Sequence, residues 1–168
     1  MTFRSIESSE IPVLHPVAHI RDGWAGFAGN AGIAPWSNFD PVDYPYVLPW
    51  VMLLRQEDPA DAERLRYVIC GDGCRKTFGM SYQGKLFGED LPESVVAQRK
   101  IEFQNIREGR GPLYSVTPLP IANREFIDIY RGVFGFSSDG TSVDRYLLVV
   151  APLNVQVPAR QPQMRARA

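Results

Sequence analysis

Apolar residues recur at spacings of three and four from Val17 to Asn30, where Val17, Ile20, Trp24 and Phe27 fall on one stripe and the charged Arg21–Asp22 pair falls away from it. That period predicts an amphipathic helix of about four turns, stopped by Asn30 and Gly32. A connector follows in which Pro35, Pro41, Pro45 and Pro49 forbid a continuous helix. Asp40-Pro41 can open a single helical turn within it, because proline suits the first helical position. Trp50–Arg55 is an apolar run of strand length, Glu57–Glu63 reads as a polar loop, and Leu65–Cys70 reads as the hairpin partner. A one-turn helix over Asp72–Phe78 comes next. Pro92–Glu108 then carries Val95, Val96, Phe103 and Ile106 at helical spacing, with Gly109 placed to end the helix. Leu113–Leu119, bounded by prolines, predicts a short or edge strand. Arg124–Phe136 and Val143–Val150 are rich in Ile, Val, Phe and Tyr and predict two longer strands, joined by the turn residues SSDGTS.

The ends of the chain read differently. Residues 1–16 mix Ser, Glu and two prolines and are expected to form a mobile arm, with the amphipathic helix occupying 17–34. Residues 154–168, NVQVPARQPQMRARA, are expected to be a disordered basic tail. Its arginines, Arg160, Arg165 and Arg167, read as a solvated charge cluster. No internal repeat is present.

The order of strand, short helices, one longer helix and a three-strand meander is that of a PAS domain. The pieces FDP…VLPWVMLL, RLRYVICGDG, FGMSYQGKLFGEDL, REFIDIYRGVFGFSSDG and VDRYLLVVAPL together resemble a bacterial PAS subfamily often found as stand-alone proteins. The resemblance runs from about Trp24 to Leu153. It implies an α+β fold over residues 35–153: a five-stranded antiparallel sheet with helices on one face, preceded by the amphipathic helix. It also implies a pocket for a small ligand between sheet and helices. Tyr67, Ile69, Phe78, Phe103, Tyr114, Tyr130 and Tyr146 are the expected lining, the tyrosines supplying polar tips in an apolar site. PAS domains often dimerise through a flanking helix, so Val17, Ile20, Trp24 and Phe27 are the expected homodimer interface; the alternative is a monomer whose helix caps the open face of its own sheet.

Composition narrows the function. The chain is 168 residues, one domain's worth, and can bury roughly 70% of its unfolded surface without a metal or disulfide staple. A formal net charge of −1 gives no basic field for nucleic acid. No run of about 18 apolar residues suggests a membrane span, and the N-terminal residues lack the basic-then-apolar pattern of a secretory signal. Two cysteines are too few for a disulfide framework, so a reduced, cytoplasmic protein is expected.

Candidate chemistry is sparse. Cys70 and Cys74 bracket Gly71-Asp72-Gly73, but the two histidines, His15 and His19, lie far upstream, so zinc binding is disfavoured and free structural thiols are expected. A haem sensor would want a histidine on the central helix, and none is there. A flavin photosensor would want an Asn-Cys-Arg-Phe context, which Gly73-Cys74-Arg75-Lys76 does not supply. Gly71-Asp72-Gly73 lacks the spacing of a phosphate loop. Asp128 is either solvated or, if its strand face is inward, a buried carboxylate that anchors a ligand amine or pairs with Arg99, Arg131 or Arg145. No catalytic motif is present and no cofactor is required. The expectation is a non-enzymatic sensory or signalling module that binds a small ligand or docks in trans onto a signalling protein such as a histidine kinase. A ligand-free adaptor with a filled core is the alternative, and a haem-binding sensor a weaker one.

Overall fold

The longest apolar runs of the chain become strands buried on both sides. In a computed structural model, which describes residues 2–29 and 33–159, seven strands and three α-helices follow one another, with short 3-10 turns between them. They are β1 (Arg4–Ile6), α1 (Pro16–Ala28), β2 (Ala34–Pro35), β3 (Val51–Asp58), β4 (Asp61–Cys70), α2 (Asp72–Phe78), α3 (Glu93–Arg107), β5 (Leu113–Pro118), β6 (Asp128–Ser137) and β7 (Arg145–Pro152). The fold is α+β, with one open sheet in the order β1-β5-β6-β7-β3-β4. All neighbours in that order are antiparallel. The two-residue β2 adds a parallel pair to the far end of β6, Ala34 opposite Phe136.

Alternation along β6 and β7 divides the core in two. Tyr130, Phe134 and Phe136 with Leu147 and Val149 point to one face; Ile129 and Val133 with Leu148 and Val150 point to the other. A run such as Leu147–Val150 is apolar throughout because both faces are covered. The expected arrangement, with helices on one face only, is therefore corrected. α2 and α3 cover one face, while α1 and the aromatic connector cover the opposite one.

α1 lies on β6 and β7 through the stripe that its sequence period marks. Val17 and Ile20 are fully enclosed, Phe27 is buried, and Trp24 sets its ring against Phe134 and Phe136 at 5.6 and 5.5 Å. Gly132 permits the close approach, since a Cβ there would stand 2.7 Å from Val17 Cγ1. His15 caps the helix: its Nδ1 accepts from the Val17 N–H at 3.2 Å, and Pro16 takes the first helical position. Asn30 and Gly32, the expected stop, lie outside the described residues. The connector follows its proline logic, with Asp40 capping the turn Pro41–Asp43. Phe39 stacks between Trp36 and Tyr44 over Phe136.

Four boundaries differ from expectation. The arm is ordered where described: β1 pairs with β5, Ile6 and Ile11 are buried, and β5 is thereby no longer an edge. The sheet has seven strands rather than five because of β1 and β2. The loop expected over Glu57–Glu63 shrinks to Pro59–Ala60, the rest continuing the β3–β4 hairpin. β6 begins at Asp128, four residues later than expected, because Arg124 leaves the strand to donate to Lys76 O and Thr77 O at the C-terminal end of α2. Residues 154–159 are described and Val157 is buried, its N–H donating to Leu14 O; the remainder of the expected tail, with Arg160, Arg165 and Arg167, lies outside the described residues.

Candidate ligand cavity beneath the long helix

The face covered by α3 contains a cavity of about 40 Å³. Its floor is the sheet, through Met52, Leu54, Tyr67, Ile129, Arg131, Leu148 and Val150. Its roof is Val95, Arg99 and Phe103 of α3, closed at the side by Phe78 of α2 and by Tyr82, Phe87 and Leu91 of the segment that follows. The aromatic rings interlock: Tyr67 with Tyr82 at 5.3 Å, Phe78 edge-on to Tyr82 at 5.4 Å, and Phe87 edge-on to Phe103 at 5.3 Å.

Three charges sit in this apolar setting. Arg99 and Glu102 project from α3, and Arg131 rises from the middle of β6; all three are more than nine-tenths buried. Arg131 Nη1 donates to Glu102 Oε2 at 2.5 Å, a charge-assisted contact. Arg99 Nη1 stands 3.6 Å from the same oxygen, an ion pair beyond hydrogen-bonding reach. Its guanidinium carbon lies 5.2 Å from the Phe3 ring centre. Burial, and after it the neighbouring Arg131, pulls the Arg99 guanidinium down to about 9, so it remains a cation at neutral pH. Burial pushes the Tyr82 phenol up to about 12 and that of Tyr67 higher still, leaving both protonated. Among the described residues, Arg99 Nη1 and Tyr82 Oη are buried without a hydrogen-bond partner.

Of the expected lining, Tyr67, Phe78 and Phe103 meet at this cavity. Tyr146 stands one layer behind, 4.6 Å from Phe103, with its hydroxyl accepting from Arg107. Tyr114 and Tyr130 belong to the opposite face, against Phe134 and His15. Ile69 is exposed. An irregularity in the β3–β4 ladder lets Leu53 face Ile69 and Leu54 face Tyr67, so Val68 is the extra residue and Ile69 turns away from the cavity. Arg99, Glu102, Tyr82 and Arg131 escape a search for bulky apolar lining; Arg131, set among the apolar residues of IDIYRGVFGF, is the one signal that marks them. The arginines offered as partners for Asp128 have other roles. Arg99 and Arg131 turn to Glu102, and Arg145 lies over Trp36. Asp128 sits half-exposed at the start of β6 on α1's face, and Phe126 is exposed.

The remaining candidates have structural duties. His15 donates from Nε2 to Pro152 O while Nδ1 caps α1, so both ring nitrogens are engaged. His19 is on α1, across the sheet from the cavity. Cys74 is fully buried, its thiol held above the usual range by burial and lying 3.6 Å from Val150 O; Cys70 is half-exposed. Among the described residues no three of His, Cys, Asp and Glu converge as a metal site. Gly71 stands where a Cβ would meet Pro49 O at 2.4 Å, which explains Gly71-Asp72-Gly73 by close packing. The expected homodimer stripe is spent within its own chain. Val17, Ile20 and Phe27 are buried against the sheet, so a second copy could reach them only if α1 detached.

No protein-family model matches the chain, and no curated protein matches it. No helix among the described residues is long and apolar enough to cross a membrane.

Proposed function

We propose that this protein is a PAS-type sensory module, non-enzymatic and cytoplasmic, that takes a small ligand into the cavity beneath α3 and signals to a protein partner in trans. The observation that carries the reading is where the cavity lies. It opens between the sheet and the helices of a β3-β4-α2-α3-β5-β6-β7 sequence, which is the element order of the PAS resemblance. The lining supports binding rather than catalysis: it is apolar with a few placed polar groups, and its tyrosines are held protonated. α3 lies between the cavity and the surface, with Ile101 exposed on its outer side, which suits it to pass a change in the cavity to a docked partner.

One observation favours the alternative of a ligand-free adaptor. The cavity is far smaller than the several hundred Å³ of a drug-sized site. Native mass spectrometry of gently purified protein separates the two. A bound mass that is lost on denaturation supports the sensor, whereas bare protein mass under every purification condition supports the adaptor.

A further inference from the structure

We infer that the cavity selects a small organic anion, a short monocarboxylate whose head group meets Arg99 and Tyr82. This deepens the ligand-binding reading and rests on it. The charge count leads there. Two guanidinium groups and one carboxylate are buried together, and the single Glu102 oxygen that serves both is taken at hydrogen-bonding distance by Arg131 alone. A net positive charge is thus left beside the cavity, on Arg99. A buried cation whose carboxylate partner stands 3.6 Å away and is shared with a second guanidinium is only partly compensated, and an aromatic ring such as Phe3 offsets only part of the remaining cost. Within the same lining, Tyr82 presents a second buried donor without a partner among the described residues. Two donors, one of them charged, suit a carboxylate.

Size and lining narrow the class further. A volume of about 40 Å³ holds about three water-sized groups, which is the scale of acetate. The rest of the wall is apolar, through Met52, Leu54, Phe78, Phe87, Leu148 and Val150, and suits a methyl or ethyl tail better than a fully hydrated inorganic ion. A phosphate dianion would need a second free cation, and Arg131 is already engaged by Glu102.

The test is titration calorimetry at constant ionic strength. Sodium acetate and sodium propionate are compared with acetamide, propionamide and sodium chloride, on wild type, Arg99→Met and Tyr82→Phe. Saturable carboxylate binding, at least about tenfold tighter than the matching amide and weakened about tenfold or more by Arg99→Met, is expected for a charge-assisted contact. Tyr82→Phe should weaken it severalfold. Urea unfolding adds a readout that a merely structural Arg99 would move the other way: without carboxylate, Arg99→Met should be at least as stable as wild type. Amides binding as tightly as carboxylates, or undiminished carboxylate binding in Arg99→Met, overturns the anion inference and leaves the pocket reading standing. Chloride matching acetate overturns it as well. If no probe binds and native mass spectrometry finds no ligand, both readings fall. Should Arg99→Met fail to fold, the carboxylate-to-amide ratio on wild type decides alone.

Discussion

His15 makes the stability of this fold depend on acid in a calculable way. The ring is fully buried between the start of α1 and the end of β7, edge-on to Tyr130 at 4.9 Å. Its Nδ1 must be unprotonated to accept from Val17 N–H, and its Nε2–H is donated to Pro152 O. Burial therefore lowers the imidazole from its ordinary 6.5 to about 4, the bond to Pro152 opposing only part of that shift. A base whose folded value is depressed binds protons more readily when unfolded. The stability it confers is complete above pH 6.5 and drains away as pH falls toward 4. With 1.36 kcal/mol per unit, linkage removes about 2 kcal/mol by pH 5 and about 3 kcal/mol by pH 4. Other groups titrate in this range, so the comparison is with His15→Asn, which keeps a capping side chain but cannot be protonated. Urea unfolding of both proteins from pH 7.5 to 4 should show wild type more stable at neutral pH, and the difference between the two curves should shrink by about 3 kcal/mol. Parallel curves would refute the claim that His15 is buried in its neutral form.

Further outcomes follow from the packing. Trp24→Ala should cost about 3 kcal/mol in urea unfolding, because it removes a ring set against Phe134 and Phe136, and light scattering should find its molar mass unchanged from that of wild type. A dimeric wild type that Trp24→Ala dissociates without loss of stability would restore the homodimer interface. Gly71→Ala should destabilise by roughly 2 kcal/mol or more, since the added Cβ would meet backbone oxygens of Leu48 and Pro49 that cannot swing aside. With a thiol-specific chromogenic reagent, the folded protein should release the equivalent of one thiol, from Cys70, and the unfolded protein two; rapid reaction of Cys74 in the folded state would contradict its burial.

Much of the fold is legible in the sequence where one element's own period carries the information. The stripe Val17–Phe27, the Phe103 and Ile106 side of α3, and the runs of β6 and β7 each mark the surface they bury. What escapes is decided between elements. An apolar run like Leu147–Val150 says that its residues are buried, but not that two different helices bury them. The three residues of β1 are too few to show a period, and they form a strand only because β5 offers an edge. Ile69 has the right residue type for the cavity and is turned away by one extra residue in the ladder. The charged cluster is the least legible part. Glu102 and Arg131 are 29 residues apart, and only the seating of α3 on β6 turns three ordinary charges into one buried site.

The central claim is that a small molecule enters the face beneath α3, and methyl-resolved NMR on the intact protein tests it most directly. Propionamide and then sodium propionate are titrated while the methyl groups of Met52, Leu54, Leu148 and Val150 are followed beside those of Val17, Ile20, Leu147 and Val149. These sets lie on opposite faces of one sheet. Saturable shifts confined to the first set are the predicted result. Shifts on the α1 face, or no shift in either set with both probes, would contradict the account.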